Sequence, residues 1–215
     1  MKIGIIGANG KAGENILREA LLRGFDVTAI VRNKEKLYIQ DIPIIEKEIF
    51  DLTRNELSQF DVVVNAFEEN PGEQHLYTEV GRHLISLLED THTKLFVIGG
   101  AGSLIVDTES STHLIGIPNL SEKNKEIAKQ RLEILRFLQQ SSIRWTFLSP
   151  SIIFDADGPR TGHYILGKGR ILLNSQYLSY VSYADYAIAV IDEIENPQFE
   201  NEQVIVASEN ATIAS

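Results

Sequence analysis

Three glycines, spaced three residues apart, follow an apolar run at the start of the chain, and this feature constrains the fold most strongly. The stretch reads KIGIIGANGKAGENILREALLRG, with Gly7, Gly10 and Gly13 between the apolar run and a segment of helical periodicity. A backbone without Cβ atoms can turn sharply, admit a pyrophosphate to its N–H groups and let a helix pack closely on a strand. The following helix N-terminus attracts negative charge. We therefore predict a dinucleotide site, with a tight turn that binds no ligand as the alternative.

The residues of this loop form the first part of the predicted cofactor site. They are Gly7, Ala8, Asn9, Gly10, Lys11, Ala12 and Gly13. Their spacing is GxxGxxG and not the GxGxxG of the standard fingerprint. By resemblance, this variant points to the extended or atypical short-chain dehydrogenases/reductases.

The second predicted strand ends in a cation at the place where an acidic residue commonly binds the adenosine ribose of NAD. The strand ends AIVRN, so Arg32 occupies that place, Asn33 follows it, and Lys34, Lys36 and Lys11 lie nearby in the sequence. An acid there would repel a 2′-phosphate by about 4 kcal/mol at a separation of about 4 Å. A charge-assisted hydrogen bond contributes about 1.5 to 3 kcal/mol. The sequence thus predicts NADP (NADPH) in preference to NAD, with a solvated surface arginine as the alternative.

Short β-branched runs alternate with amphipathic stretches along the rest of the chain, and this alternation is typical of parallel strands joined by crossover helices. Apolar residues recur at helical spacing in 76–90 and 121–140, which predicts two of the crossover helices. We interpret residues 1–215 as a single α/β domain that is doubly wound, with a mostly parallel sheet and helices on both faces. The segment 154–182 is rich in Gly, Tyr and Asp and is expected to form a small C-terminal region on the substrate side.

Composition narrows the possible functions further. The chain has no cysteine, which excludes thiol chemistry, and its formal net charge of -10 disfavours binding to nucleic acid or to an acidic membrane surface. The five histidines show no metal-ligand spacing, so we expect no metal site. There is no apolar stretch of membrane-spanning length and no signal-peptide pattern, so we expect a cytoplasmic protein. We expect it to be a monomer or a homodimer.

Seven segments resemble the atypical short-chain dehydrogenases/reductases grouped as NAD(P)H-binding or Rrf2-linked NADH-flavin reductases. The segments are GANGKAG, VRN, EIFDLT, VIGGAGSL, WTFLSPS, DGPRTGHYILG and SYADYAIAVIDEIENP, of which the last three are the most specific. Biliverdin IXβ/flavin reductase and the NmrA-like proteins are distant relatives of this group. The resemblance implies a Rossmann-like fold and a reductase of flavin-like or quinone-like acceptors. Together with the cation at Arg32, it makes an NADPH-dependent reductase the leading hypothesis.

The same resemblance implies further cofactor-binding residues at the carboxyl ends of the later strands. Asp51 and Leu52 would flank the adenine, Ala66 and Phe67 would line the ribose, Gly99 and Gly100 would lie beside the nicotinamide ribose, and Ser149 and Pro150 would close the nicotinamide pocket. Two of these assignments have structural alternatives. Asp51 could instead cap the following helix, and residues 99–102 could simply form a loop.

The sequence lacks the Tyr-x-x-x-Lys pair of ordinary short-chain dehydrogenases, because no tyrosine lies between Ser103 and Trp145. This absence disfavours an alcohol dehydrogenase mechanism. Flavin reduction depends chiefly on positioning, so Ser103 and His113 are the candidate catalytic orienters, with His163 and Tyr164 as weaker candidates. A serine in a glycine loop can instead bond its own backbone. Two functional alternatives stay open: a non-catalytic NADP sensor that acts through a protein partner, and an epimerase or dehydratase.

Other polar residues have simpler interpretations. Glu68 and Glu69 are adjacent and are expected to be solvated. Arg160 is expected to pair with Asp155 or Asp157, although contact with an acidic substrate is the alternative. The tyrosines of SYADYAIAVIDEIE are interpreted as packing residues.

Overall fold

The glycine loop joins the first strand to the first helix in the computed structural model, which describes residues 1–70, 72–107, 112–113 and 121–209. In chain order the elements are β1 (Lys2–Ile6), α1 (Lys11–Leu22), β2 (Asp26–Val31), β3 (Ile44–Glu46), α2 (Arg54–Leu57), β4 (Val62–Asn65), α3 (His75–Leu88), β5 (Lys94–Ile98), β6 (Ile105–Asp107), β7 (Thr112–His113), α4 (Glu122–Gln140), β8 (Trp145–Ser149), β9 (Ile153–Asp155), β10 (Tyr164–Lys168), β11 (Tyr180–Ser182), α5 (Tyr183–Glu195) and β12 (Glu202–Ser208). Short 3₁₀ helices follow β2, β3 and β5. The two predicted crossover helices correspond to α3 and α4.

Eight of the described strands form one sheet, in the order β10-β12-β8-β5-β4-β1-β2-β3. The others form two small sheets, in which β9 pairs with β11 and β6 pairs with β7. Every pairing in the eight-stranded sheet is parallel except that of β10 with β12, which is antiparallel. Starting from β1, the sheet extends through β2 and β3 on one side. The chain then crosses back to β4, and the sheet extends through β5, β8 and β12 on the other side, so the strand order reverses between β1 and β4. This topology confirms the predicted doubly wound α/β fold, and ligands of such sheets bind at the carboxyl ends beside the reversal.

Helices cover both faces of the sheet, as expected for parallel strands that are apolar on both faces. One core cluster joins the sheet to α1 and α5, and the other joins it to α2, α3 and α4. All four residues of β4 are buried, as are four of the five in β1 and in β5. The carboxyl ends of these central strands are therefore anchored in the core.

The segment predicted for the substrate side is held against the sheet by a buried carboxylate. Asp185 is 0% exposed and accepts hydrogen bonds from the backbone amides of Thr161 at 2.8 Å and Gly162 at 2.9 Å. It also accepts one from the Ser208 hydroxyl at 2.8 Å. These contacts fasten the loop before β10 to α5 and β12. In the described ranges, no helix has the length and apolar character needed to cross a membrane.

Candidate dinucleotide site

The three glycines of the loop have three different structural roles. Gly7 has a φ of 74°, and a Cβ there would lie 2.5 Å from the Ala66 carbonyl oxygen. A Cβ on Gly13 would collide with the Gly7 carbonyl, because α1 packs closely on the end of β1. A Cβ on Gly10 would meet only the Gly7 carbonyl oxygen, at 3.3 Å. Two glycines therefore serve the turn and the packing, and Gly10 leaves space for a ligand.

The N-terminus of α1 opens toward this space. Gly10 occupies the N-cap position, so no side chain bonds the first-turn amides there. The amide of Gly10 itself donates to the Gly7 carbonyl at 2.9 Å, which fixes the turn. Unsatisfied amides at a helix N-terminus favour an anion.

A cavity of about 320 Å³ lies beside the turn at the carboxyl ends of β1, β2 and β4. Six of the predicted cofactor residues line it: Gly7, Asn9, Gly10, Arg32, Ala66 and Phe67. Lys47 and Phe50 also line it, and sequence reasoning missed both. They follow the three-residue strand β3, a segment too short to place from the sequence pattern.

The other predicted cofactor residues lie outside the cavity wall. Ala8 and Leu52 are buried in the core, whereas Lys11 and Asp51 are exposed, and Ala12 lies in the first turn of α1. Asp51 does not cap α2, since Thr53 does so by accepting a hydrogen bond from the Glu56 amide. Four more predicted residues lie at the ends of β5 and β8: Gly99, Gly100, Ser149 and Pro150.

The end of β2 presents an arginine to the cavity. Arg32 is exposed, and its side chain makes no hydrogen bond or ion pair with any residue in the described ranges. Lys34 instead pairs with Glu46 at 3.3 Å, and Lys47 pairs with Glu56 at 2.6 Å. Asn33 accepts a hydrogen bond from the Glu35 amide and so caps the 3₁₀ helix after β2. Arg32 is therefore available to bind an anionic group in the cavity.

The end of β4 carries a buried ion pair in place of the two solvated carboxylates that we predicted. Glu68 is exposed, but the side chain of Glu69 is only 6% exposed and pairs with Arg131 of α4 at 3.2 Å. The prediction was wrong for Glu69 because its partner lies 62 residues away in the sequence, on a different element. Both glutamates line the cavity.

The ends of β5 and β8 are joined through a glutamine that sequence reasoning missed. Gln203 of β12 donates to the Ser103 hydroxyl at 2.7 Å and to the Ser149 hydroxyl at 3.1 Å. Ser103 in turn donates to the Gly100 carbonyl at 3.0 Å. This is the bond to the local backbone that we gave as the alternative to a catalytic role for Ser103. His113 lies in β7, whose backbone pairs with Ile105, but its side chain is outside the described part of the chain.

An aromatic pair lies where the C-terminal segment meets these strand ends. The Phe154 and Tyr183 ring centroids are 3.9 Å apart, and Tyr186 lies 4.9 Å from Phe154. Tyr186 is fully buried and donates to the Leu148 carbonyl at 2.6 Å, so it packs as predicted. Tyr183 is partly exposed, and burial together with the negative charge of Glu68 raises the pKa of its hydroxyl. That hydroxyl therefore stays protonated at neutral pH.

The remaining candidates lie away from the cavity. Arg160 pairs with Glu19 of α1 at 2.9 Å, so the predicted pairing with Asp155 or Asp157 was wrong, although the role is still an ion pair. The Tyr164 hydroxyl donates to Asp192, and His163 is exposed. Among the residues that the structure describes, no three metal-ligating side chains converge.

A glycine turn and a helix N-terminus at the reversal of a doubly wound sheet define a Rossmann-like NAD(P)-binding protein. The chain belongs to the NAD(P)H-binding family, whose sequence profile matches residues 7–197. This assignment confirms the resemblance to the NAD(P)H-binding short-chain reductases.

Three relatives match nearly the whole chain. The protein YwnB of Bacillus subtilis (strain 168) is 53% identical over 211 residues, which cover 97% of this chain and 99% of YwnB. The structure of SP1627 from Streptococcus pneumoniae TIGR4, whose name proposes an NADH-flavin reductase, is 38% identical, with a TM-score of 0.91 and coverage of 97% and 99%. A Bacteroides thetaiotaomicron structure, whose name proposes an epimerase, is 30% identical, with a TM-score of 0.85 and coverage of 99% of both chains. Because these names differ, the activity has to be argued from the site.

Proposed function

We propose that this protein is an NADPH-dependent reductase that passes a hydride to a flavin-like or quinone-like acceptor. The observation that carries the proposal is the cavity that runs from Arg32 across Gly10 to the end of β4. The arginine at one end of the cavity suits the 2′-phosphate of NADPH, and the glycine turn in the middle suits the pyrophosphate. The name given to SP1627 supports the same class of reaction.

The residues present fit NADPH. Gly10 leaves the space that a pyrophosphate needs, and the first-turn amides of α1 would hold it. Arg32 would bind the 2′-phosphate. Asn65 is 1% exposed, and its Nδ2 has no hydrogen-bond partner among the described residues. It directly precedes Ala66, which lines the cavity. When bound, NADPH supplies a hydride, and the acceptor takes its balancing proton from water or from a protein donor.

The acceptor would lie against Phe154 and Tyr183. Their rings are in contact, and Ile152 and Ile153 beside them are 48% and 42% exposed, so a planar apolar molecule would find a surface of matching character. The protonated Tyr183 hydroxyl could donate a hydrogen bond to an acceptor atom that gains negative charge. This arrangement needs no Tyr-x-x-x-Lys pair, whereas an epimerase or dehydratase of the ordinary type does.

The test is an anaerobic screen of NADPH oxidation with FMN, riboflavin, quinones and biliverdin, using Gly10→Val as the matched control. We expect NADPH oxidation with at least one acceptor by the parent and none above background by the control. If NADPH binds tightly but is oxidised with none of the acceptors, the reductase proposal is wrong and the sensor function is favoured. If NADPH does not bind at all, the cofactor assignment is wrong as well.

A further inference from the structure

The carboxylate of Glu69 is held in the cavity wall by a buried cation. Nη1 and Nη2 of Arg131 donate to Glu69 Oε2 at 3.2 and 3.3 Å, and the two side chains are 14% and 6% exposed. Both donors use the same carboxylate oxygen. The other oxygen, Oε1, accepts no hydrogen bond from any residue in the described ranges. Glu69 therefore brings a charged acceptor with unused capacity to the wall of the cavity.

Arg131 is itself fixed from two sides. Its guanidinium lies 3.4 Å from the centroid of the Tyr77 ring, and the Tyr77 hydroxyl donates to the Ile98 carbonyl at 2.6 Å. A Cβ on Gly100 would lie 3.0 Å from Arg131 Cγ, so the arginine stem packs directly on the loop after β5. The strand end thus positions Tyr77, which positions Arg131, which positions Glu69.

Stability alone gives a weak reason for this arrangement. A buried ion pair gains little net free energy, because removing both charges from water costs about as much as their attraction returns. An apolar pair of similar volume would serve the core between α3 and α4 as well. Glu69 lies in the cavity wall, and a contact with a ligand explains better why a charged pair is buried here.

The topology indicates which half of the dinucleotide meets Glu69. The adenosine of such cofactors lies at the end of β2 and the pyrophosphate at the glycine turn, so the other half extends over β4 and β5. Glu69 follows β4, and Arg131 packs on the loop after β5. In this fold a carboxylate commonly accepts hydrogen bonds from the hydroxyls of the adenosine ribose. The nicotinamide ribose carries hydroxyls of the same kind, so a carboxylate acceptor suits it for the same reason.

We infer that Glu69, positioned by Arg131, binds the ribose of the nicotinamide half of the dinucleotide. The inference rests on the proposed function for the identity of the ligand. Glu69 is the contacting residue in this account, and Arg131 acts through it. This chain lacks the Tyr-x-x-x-Lys pair, so the Glu69–Arg131 pair would supply a polar contact to the cofactor in its place.

The test compares three ligands by calorimetric titration at fixed salt: 2′,5′-ADP, 2′-phospho-ADP-ribose and NADPH. The first contains only the adenosine ribose, the second adds the second phosphate of the pyrophosphate and the other ribose, and the third adds the nicotinamide. For Glu69→Gln we expect the second and third ligands to bind about 10- to 100-fold more weakly, since a hydrogen bond to a charged group is lost. Binding of 2′,5′-ADP should be unchanged. Glu79→Gln, which removes an exposed carboxylate from α3 outside the cavity, should change none of the three.

Each other outcome has a definite meaning. Equal losses for all three ligands, or no loss for any, would overturn the ribose assignment, and a loss for NADPH alone would transfer the contact to the nicotinamide ring. If Glu69→Gln does not fold, the double variant Glu69→Gln with Arg131→Met removes both buried charges and should give the same selective loss. Failure of the parent to bind any of the ligands would instead refute the NADPH assignment. If the parent prefers NADH, the unphosphorylated series of ADP, ADP-ribose and NADH replaces the first set.

Discussion

The carbonyl oxygen of Gly7 occupies the space that a side chain on Gly13 would need, whereas the same oxygen lies 3.3 Å from a Cβ built on Gly10. Gly10 and Gly13 look equivalent in the sequence, but their distances to this one backbone atom give them different roles. Gly13 is required for packing α1 on β1. Gly10 is required for the close approach of a ligand and not for packing. The backbone at Gly10 is extended, with φ of -80°, so any residue can adopt it.

Replacement of Gly10 by valine should therefore abolish dinucleotide binding and leave the fold intact. A branched side chain would fill the space between the turn and the ligand. The measurement is calorimetric titration with NADPH together with a thermal melt. Gly13→Val is the contrast, because it should lower the melting temperature strongly or prevent folding. A Gly10→Val protein that binds NADPH as tightly as the parent would place the phosphate site elsewhere.

Arg32 should determine the preference for NADPH. Arg32→Ala should weaken NADPH binding by roughly 10- to 150-fold, because a charge-assisted bond of about 1.5 to 3 kcal/mol is lost. Binding of NADH should hardly change. Arg32→Asp should invert the preference, since it adds repulsion and supplies an acceptor for the ribose hydroxyls. Dissociation constants for both cofactors at fixed salt decide the matter, since salt screens such contacts.

Lys34→Ala is the matched control for Arg32. It removes the same charge two positions along the chain, but Lys34 is already paired with Glu46 at 3.3 Å. We expect it to leave the ratio of the two dissociation constants within about twofold of the parent. Equal losses of NADPH and NADH on Arg32→Ala would show that the arginine supports the cavity wall or contacts the adenine instead.

The sequence predicts those parts of the fold and site that depend on local patterns. The glycine spacing, the apolar runs and the helical periodicity each arise within a few residues, and they suffice for β1, α1, α3, α4 and the doubly wound topology. The position of Arg32 follows from the end of β2 in the same way. The resemblance to a known family added Ala66 and Phe67, which do line the cavity.

The parts that sequence reasoning missed depend on contacts between distant elements. Glu69 and Arg131 are 62 residues apart, Ser103 and Gln203 are 100 apart, and Arg160 meets Glu19 at a separation of 141. No period or motif connects such pairs, because the sheet order brings them together only after folding. The default expectation that adjacent glutamates are solvated was wrong for Glu69 for this reason.

Lys94 should make stability depend on pH in the alkaline range. Its side chain is 3% exposed, its Nζ has no hydrogen-bond partner among the described residues, and Glu193 Oε1 is 3.7 Å away. Burial lowers the pKa of Lys94 below its ordinary value, against the opposing effect of Glu193. Between the lowered value and about 10.4 the unfolded chain binds more protons than the folded one, so stability rises with pH there.

We therefore expect the unfolding free energy of the parent, relative to Lys94→Met, to increase by up to about 1.4 kcal/mol per pH unit in that window. Urea denaturation of both proteins at intervals from neutral pH to the ordinary lysine pKa measures the difference. Lys129→Met, which changes an exposed lysine on α4, is the control and should differ from the parent by a constant amount. A Lys94→Met difference that stays constant with pH would contradict the expectation.

Tyr183 should affect the acceptor and not the dinucleotide. Its ring contacts Phe154 at a centroid distance of 3.9 Å and is partly exposed on the proposed acceptor side. Tyr183→Ala removes the ring, and an aromatic contact of about 0.5 to 1.5 kcal/mol should then be lost, which is roughly a 2- to 13-fold increase in KM for FMN. The dissociation constant for NADPH should stay the same. Tyr183→Phe keeps the ring and removes only the hydroxyl, so its KM for FMN should be close to that of the parent.

The two Tyr183 variants together separate stacking from hydrogen bonding. If the protonated hydroxyl donates to the acceptor as charge develops, Tyr183→Phe should lower kcat while leaving KM near the parent value. Tyr177→Ala is the control, because that tyrosine is 85% exposed and lies outside the aromatic pair, and it should change neither constant. An unchanged KM for FMN in Tyr183→Ala, with turnover intact, would remove Tyr183 from the acceptor site and direct the search to the strand ends joined by Gln203.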